Sequence, residues 1–110
     1  MLPRPKISSK DGEPHRFGFV IAARNEENVI ANLIESIRQQ NYPSDMIDVF
    51  VVADNCTDKT ADVAREAGAV VYERFNDEQV GKSYALNYLF NKINADYGSY
   101  RAYDGYFIFD

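Results

Sequence analysis

Residues 17–38 read FGFVIAARNEENVIANLIESIR, a continuous apolar run followed by a helical pattern. The run Phe17–Ala23 is typical of a strand that is buried on both faces of a parallel sheet. The sequence Asn25-Glu26-Glu27 predicts a helix start, because carboxylates in a first turn favour the positive end of the helix dipole. Apolar residues then recur at helical spacing and predict one buried stripe, made of Val29, Ile30, Leu33, Ile34 and Ile37.

The same strand–helix unit repeats further along the chain. Asn41-Tyr42-Pro43 predicts the end of the first helix, and a second apolar run, Ile47–Ala53, leads into Asp54. Thr57 is predicted to be the N-cap of the next helix, and Gly68 its C-terminal cap. The inner face of this helix is predicted to consist of Ala61, Ala64 and Ala67.

The remaining segments supply a third unit and a fourth strand. A short strand is predicted at 69–72, a polar loop at 74–80, and a helix led by Gly81-Lys82. Another polar loop at 94–104 precedes the fourth strand, 106–109. The inward residues of the third helix are predicted to be Ala85, Leu86, Leu89 and Ile93. Alternating strands and helices predict an α/β fold, a Rossmann-like, mainly parallel sheet flanked by helices.

Composition limits the chain to one domain. Its 110 residues, 45% of them hydrophobic and 26% charged, suffice for a single core. Residues 1–16 hold three of the four prolines and show no periodicity. We therefore predict an extended or disordered leader at 1–16, followed by one domain at 17–110.

Charge and cysteine content indicate the partners and the compartment. The net charge of −5 argues against a nucleic-acid-binding protein, which usually carries a basic face. The single cysteine, Cys56, permits no internal disulfide and favours a reducing compartment. No apolar run approaches the about 18 residues of a membrane span. These features predict a cytoplasmic location.

The carboxyl ends of the strands are where we expect a binding site. In a doubly wound sheet, ligands lie at this edge, near the point where the strand order reverses. With the strand order 3-2-1-4, residues 23–26 lie between the strand ends that carry Asp54 and Asp110. Three polar segments that are distant in sequence are therefore predicted to converge.

Four segments resemble the inverting glycosyltransferases of family two, which have the GT-A fold. They are VIAARNEE at 20–27, FVVADNCTDKT at 50–60, GKSYALN at 81–87 and FIFD at 107–110, in the family's order. The last is similar to the strand that carries the family's Asp-x-Asp motif. The resemblance covers about residues 17–110 and implies the nucleotide-sugar-binding half of a glycosyltransferase domain.

The resemblance also implies roles for single residues. Asp54 would accept a hydrogen bond from the imide N–H of the donor's base, which suits uracil, thymine or guanine because an ionised carboxylate only accepts. Arg24 would stack on the base, and Lys82 would lie near the donor diphosphate. The segment beneath the nucleoside would comprise Ala22, Ala23, Arg24, Asn25 and Glu26.

Asp110 matches the first carboxylate of the Asp-x-Asp motif, which in the family contacts the donor's ribose and holds Mg²⁺ or Mn²⁺ against the diphosphate. The sequence stops at Asp110, so the second carboxylate is missing, and one carboxylate alone is a poor metal site. The general base of similar enzymes lies beyond this motif. We therefore expect no catalytic residue within the chain and no turnover by the 110 residues alone.

For the complete enzyme, the resemblance implies inverting sugar transfer from a nucleoside-diphosphate sugar, with a UDP-sugar favoured. The acceptor would be a glycan or lipid hydroxyl, in the synthesis of an envelope polysaccharide or glycolipid. The full-length protein would then act at the cytoplasmic face of the cell membrane. No nucleic acid partner is expected.

Other interpretations remain open. Asp54 also suits a turn cap, Lys82 a solvated helix start, and Asn25-Glu26 simple helix initiation. One alternative function is a non-catalytic nucleotide-binding module. Another is a P-loop-like NTPase, because residues 80–83 end like a Walker A loop, although the first glycine of that motif would fall at Asn76.

Overall fold

The computed structural model describes residues 16–39, 47–97 and 103–109 of the chain. No helix in those ranges is long and apolar enough to cross a membrane. The elements follow the predicted order: β1 (Phe17–Ala23), α1 (Ile30–Arg38), β2 (Ile47–Asp54), α2 (Thr60–Glu66), β3 (Val70–Arg74), α3 (Lys82–Asp96) and β4 (Gly105–Phe109). The predicted leader falls almost entirely outside the described residues, as do the helix-ending segment 41–43 and Asp110.

The strands form one four-stranded sheet with the order β3-β2-β1-β4, and all three pairs are parallel. This topology confirms the predicted strand order. In the central pair, Phe17 lies opposite Ile47 and Ala23 opposite Ala53, so β1 and β2 end at nearly the same level. Both strands are covered on two faces, as their continuous apolar sequences predict.

Alternate residues of the central strands point to opposite faces of the sheet. Helices α1 and α2 cover one face, where the buried core contains Phe19 and Ile21 of β1 and Val49 and Val51 of β2. Helix α3 covers the other face, and its buried Ala85, Leu89 and Ile93 pack with Val20, Phe50 and Val52. Full burial of each large apolar side chain stabilises the fold by about 1.5–3 kcal/mol.

The predicted helix faces are largely confirmed. Ile30, Ile34 and Ile37 of α1 are fully buried, but Val29 is 52% exposed. Val29 differs because the chain is still in a turn at 27–29 and the regular helix begins only at Ile30. The first turn of α1 therefore contains no acidic residue, contrary to the prediction from Asn25-Glu26-Glu27.

Several other boundaries differ from the predictions. Helix α2 begins at Thr60, and Thr57 is not its N-cap. Strand β3 continues to Arg74, two residues past its predicted end, because β2 continues to Asp54 and pairs with it there. Helix α3 runs into the predicted loop as far as Asp96. The predicted cap at Gly68 is confirmed by its positive φ of 95° and by its N–H bond to the carbonyl of Arg65.

The loops that follow β1 and β2 are bonded to each other, and we call this contact the loop junction (24–29 with 55–60). The backbone N–H of Thr57 donates to Asn25 Oδ1 at 2.8 Å, and the N–H of Glu26 donates to Thr60 Oγ1 at 2.8 Å. Glu27 Oε2 accepts from the N–H of Lys59 at 3.3 Å. Asn25 has a φ of 53°, which asparagine tolerates better than most residues.

Asp58 organises the second half of the loop junction. Its Oδ1 accepts from both the backbone N–H and the hydroxyl of the buried Thr60, and its Oδ2 accepts from the N–H of Glu27 at 3.3 Å. Desolvation acts to raise the pKa of Asp58, but these hydrogen bonds outweigh it and hold the pKa below the ordinary value of 3.8. The ionised carboxylate therefore stabilises the junction.

We expect Gly18→Ala to destabilise the fold. A Cβ at position 18 would lie 2.6 Å from Cε1 of Tyr106, the register partner of Gly18 on β4. The Tyr106 ring is held edge-on against Phe90, with 5.2 Å between ring centroids. Overpacking of this kind costs about 1–3 kcal/mol, which urea unfolding measures. The double variant Gly18→Ala/Tyr106→Leu should lose less unfolding free energy than the sum of the losses in the two single variants. If the two losses simply add, the proposed clash is contradicted.

The stability that Asp58 contributes should depend on pH. Because its pKa is lower in the folded chain, this stability is fully present above the ordinary pKa and is lost as the pH falls through the folded value. The difference in unfolding free energy between the unsubstituted chain and Asp58→Asn should therefore shrink as the pH falls from about 5 to about 2. Asp77→Asn, which replaces an exposed carboxylate in the loop between β3 and α3, is the control. A constant difference over this range would contradict the assignment.

Candidate nucleotide-binding site

A pocket of about 160 Å³ lies at the carboxyl edge of the sheet, where β1 and β2 end and α3 begins. Three segments that are far apart in sequence meet there. Five of the eight residues predicted to bind the donor line this pocket. The full lining is Ala22, Ala23, Arg24, Asp54, Val80, Gly81, Lys82 and Ala85. The edge is the one at which parallel α/β sheets bind ligands.

Small side chains create the space in this pocket. Ala22 lies on the α3 face of β1, and the fully buried Ala85 lies on the first turn of α3. Neither side chain fills the gap between strand and helix. The register of the central strands places Asp54 one residue beyond Ala23 and Ala53, at the mouth of this gap.

Asp54 forms a buried ion pair with Arg74. The two residues are register partners at the ends of β2 and β3, and Arg74 Nη1 donates to Asp54 Oδ1 at 2.7 Å. Asp54 is 7% exposed and Arg74 6% exposed. A buried carboxylate is costly unless it is paired, so Arg74 is what allows an ionised Asp54 at this position.

The loop between β3 and α3 is held against the same strand ends. Arg74 Nη2 donates to the carbonyl of Gln79 at 2.5 Å. The Asn55 amide makes two hydrogen bonds of 2.9 Å with the backbone N–H and carbonyl of Asn76, and Asn55 itself has a φ of 50°. These contacts fix the loop and thereby place Val80 at the pocket.

Helix α3 directs its N-terminus toward the pocket. Gly81 precedes it with a φ of 127°, a conformation that is strained for any residue with a side chain. Lys82 is the first helical residue, and no acidic residue lies in the first turn. The N–H groups at the start of a helix, together with a lysine, favour an anion such as a phosphate.

The structure does not bring Asn25 and Glu26 into this pocket. The Asn25 amide oxygen is bonded to Thr57, and the Glu26 N–H to Thr60. Glu26 borders a separate cavity of about 80 Å³ beside α1. In the structure both residues shape the loop junction that supports the pocket.

Metal ligands are not assembled in the described part of the chain. Residues 16–39, 47–97 and 103–109 contain no group of three or more His, Cys, Asp or Glu residues that could hold an ion. Asp110, the predicted metal ligand and ribose contact, lies outside these residues. Cys56 sits in the loop junction, where its Sγ lies 3.4 Å from both the N–H of Asn25 and the carbonyl of Ala23.

Arg74 is the site residue that the sequence analysis missed. The sequence pattern places Arg74 at the start of a polar loop, because Glu73 and Arg74 end the apolar pattern of the third strand. An arginine two residues past a short apolar strand could have been paired with the aspartate that ends the neighbouring strand. That inference needs the strand order and the register, which only the fold supplies.

Comparisons with known proteins agree with this fold and site. The chain is 46% identical over 70 residues to a 4,4'-diaponeurosporenoate glycosyltransferase of Staphylococcus aureus, covering 61% of this chain and 18% of that protein. A mannosyltransferase of Pyrobaculum calidifontis, solved with GDP-Man and Mn²⁺, superposes with a TM-score of 0.60 at 26% identity, covering 74% of this chain and 25% of that one.

Glucosyl-3-phosphoglycerate synthase of Mycobacterium tuberculosis, solved with UDP, shares the fold with a TM-score of 0.55 at 24% identity. That superposition covers 86% of this chain and 36% of the synthase. The chain thus spans well under half the length of each of these proteins. The model of glycosyl transferase family 2 matches residues 19–103, most of the chain, and the sheet has the strand order of the GT-A neighbours. The chain belongs to glycosyl transferase family 2.

Proposed function

We propose that this chain is the donor-binding part of a glycosyltransferase and that its pocket binds the nucleoside diphosphate of a sugar donor. One observation carries the proposal. A buried aspartate, a short alanine-rich strand end and the lysine-bearing start of a helix meet in one pocket at the ligand-binding edge of the sheet. Family membership and a 26%-identical neighbour that holds GDP-Man support the same reading.

Each part of the pocket suits one part of such a donor. Asp54 supplies a hydrogen-bond acceptor to a base that offers a ring N–H. The exposed Arg24 guanidinium provides a flat surface on which the base stacks. Lys82 and the start of α3 provide positive charge for the diphosphate. Ala22 and Ala23 leave room for the ribose between these ends.

The proposed reaction is inverting transfer. An acceptor hydroxyl oxygen forms a bond to the anomeric carbon while the bond from that carbon to the diphosphate oxygen breaks. The electron pair of the broken bond leaves on the diphosphate, and the hydroxyl proton passes to a carboxylate base outside this chain. Within the chain, Asp54 and Lys82 hold the donor and contribute no proton transfer.

We propose a divalent cation for the whole protein, bound by residues other than the described ones. The described ranges contain no ligand cluster for an ion, so Asp110 and further carboxylates would have to hold it. The Mn²⁺ of the Pyrobaculum neighbour supports Mg²⁺ or Mn²⁺ as the cofactor. Bound there, the ion would offset charge on the diphosphate.

For the whole protein we propose a glycan or lipid-like acceptor and action at the cytoplasmic face of the cell membrane. The support is the 46%-identical relative, which is named a 4,4'-diaponeurosporenoate glycosyltransferase. Fractionation of cells that express the whole protein tests the location. Recovery in the soluble fraction at low salt would contradict it.

Asp54→Asn should weaken nucleotide binding by about tenfold or more, since a hydrogen bond to a charged group contributes about 1.5–3 kcal/mol. Asparagine can still accept from Arg74 at one oxygen, but its amide N–H₂ opposes the donor of the base. Asp54→Ala is less suitable, because removing one partner of a buried pair costs about 3–5 kcal/mol of stability. NMR titration of the 110-residue chain with UDP and with GDP measures the affinities.

Asp62→Asn is the matched control, since Asp62 is an exposed carboxylate that does not line the pocket. Resonances of residues 22–24 and 80–82 should shift on binding. The proposal is wrong if the unsubstituted chain binds neither UDP nor GDP. It is also wrong if Asp54→Asn binds each nucleotide with the same affinity as the unsubstituted chain.

The alternative of a non-catalytic nucleotide-binding module is tested with the whole protein. Transfer of sugar to an acceptor, with inversion at the anomeric carbon seen by NMR of the product, supports the enzyme. Nucleotide binding without transfer to any acceptor tested supports the module. The P-loop interpretation is disfavoured because Gly81-Lys82 follows β3, whereas a P-loop follows the first strand.

A further inference from the structure

The loop between β3 and α3, which we call the crossing loop (75–81), connects the edge of the sheet to the pocket. It leaves β3, the neighbour of β2, and leads to α3, whose buried side chains pack on β1 and β2. The crossing loop therefore passes the end of β2. It brings Val80 and Gly81, with Lys82 directly after them, to the wall of the pocket.

Apolar packing does not hold the crossing loop in place. Phe75 is 68% exposed and Val80 is 49% exposed, and every residue from 77 to 81 is exposed. A segment that removes so little apolar surface from water gains little hydrophobic stabilisation. The position of the loop must therefore come from its hydrogen bonds.

Asn55, the first residue after β2, supplies the central hydrogen bonds. Its Nδ2 donates to the carbonyl of Asn76 and its Oδ1 accepts from the N–H of Asn76, each at 2.9 Å. The backbone N–H of Asn55 also donates to the carbonyl of Arg74 at 2.8 Å. A carboxylate of the same shape would lack the donor, and asparagine tolerates the positive φ of 50° at this position.

Asn76 in turn organises the rest of the crossing loop. Its Oδ1 accepts from the backbone N–H groups of Glu78 and Gln79, at 3.0 and 2.8 Å. The bond from Arg74 Nη2 to the carbonyl of Gln79 attaches the same turn to the end of β3. The turn is thus tied to β2 through Asn55, and α3 begins soon after it.

Two parts of the pocket are positioned in different ways. Ala22 and Asp54 belong to the strands, so the pairing within the sheet fixes them. The body of α3 is held by its buried side chains, but residues 80–82 at its start are exposed and follow the crossing loop. Asn55 does not line the pocket, so it acts on a ligand only through this loop.

We propose that Asn55 is a positioning residue for the diphosphate of the donor. It holds the crossing loop so that the N–H groups and the lysine at the start of α3 face the phosphates, and it does not touch the nucleoside. Donors that are held in place before the anion arrives bind it more tightly, because ordering them during binding subtracts from the affinity. This inference rests on the proposed function of the pocket.

The first measurement uses the unsubstituted 110-residue chain. NMR titration with UDP and uridine, and with GDP and guanosine, gives the affinity that the diphosphate adds to each nucleoside. We expect the diphosphate to add about tenfold or more, because hydrogen bonds to charged groups are the stronger ones. If neither nucleotide binds, or if the diphosphate adds nothing, the proposed function itself is wrong.

The second measurement compares Asn55→Gly with the unsubstituted chain. Glycine accommodates the positive φ and removes the side-chain amide. We expect the nucleotide affinity to fall about tenfold while the nucleoside affinity stays unchanged, so that their ratio also falls about tenfold. Partial unfolding would instead lower both affinities by the same factor and leave the ratio unchanged. An unchanged ratio would overturn the inference and leave the proposed function intact.

Asn32→Ala is the matched control, since Asn32 is an exposed amide on α1 that does not line the pocket, and its ratio should not change. Asn76→Ala is the second variant, used if Asn55→Gly does not fold. It keeps the backbone partners of Asn55 but removes the acceptor for Glu78 and Gln79, so the ratio should fall here too. A folded Asn76→Ala variant with the ratio of the unsubstituted chain would contradict the inference.

Discussion

Strands β1 and β2 run side by side in register, and the rest of the structure depends on this constraint. Because Ala23 lies opposite Ala53, β1 and β2 end at nearly the same level of the sheet, and the loops that follow them must turn beside each other. The turns are made by Asn25 and Asn55, the two described non-glycine residues with positive φ. The loop junction and the pocket both form because these two strands end side by side.

The residues after the two strands divide into those that face the pocket and those that hold it. Arg24 and Asp54 border the cavity. Asn25, Thr57 and Thr60 are bonded across the loop junction and keep the two exits together. The motif around 54–60 therefore combines one pocket-lining carboxylate, Asp54, with a set of hydrogen bonds that fix its position, which explains why so many polar residues occur there.

The buried ion pair links this arrangement to the third strand. Asp54 and Arg74 are the last paired residues of β2 and β3, so the strand pairing fixes their positions. Arg74 also donates a hydrogen bond to the carbonyl of Gln79 and thereby holds the loop before α3. A charged pair away from water contributes little net stability compared with apolar residues of similar size. Its value at this position lies in presenting an ionised, oriented carboxylate to the pocket.

The sequence by itself determined the α/β class, the order of elements, the strand order and five of the residues that line the pocket. Continuous apolar runs and helical spacing are local signals, and the family motifs mark strand ends. Only the tertiary structure decided that Asn25 and Glu26 serve the loop junction, that β3 reaches Arg74, and that Arg74 holds Asp54. These facts depend on contacts between residues that lie 20 to 34 positions apart in the sequence, and no local pattern encodes the strand register that brings them together.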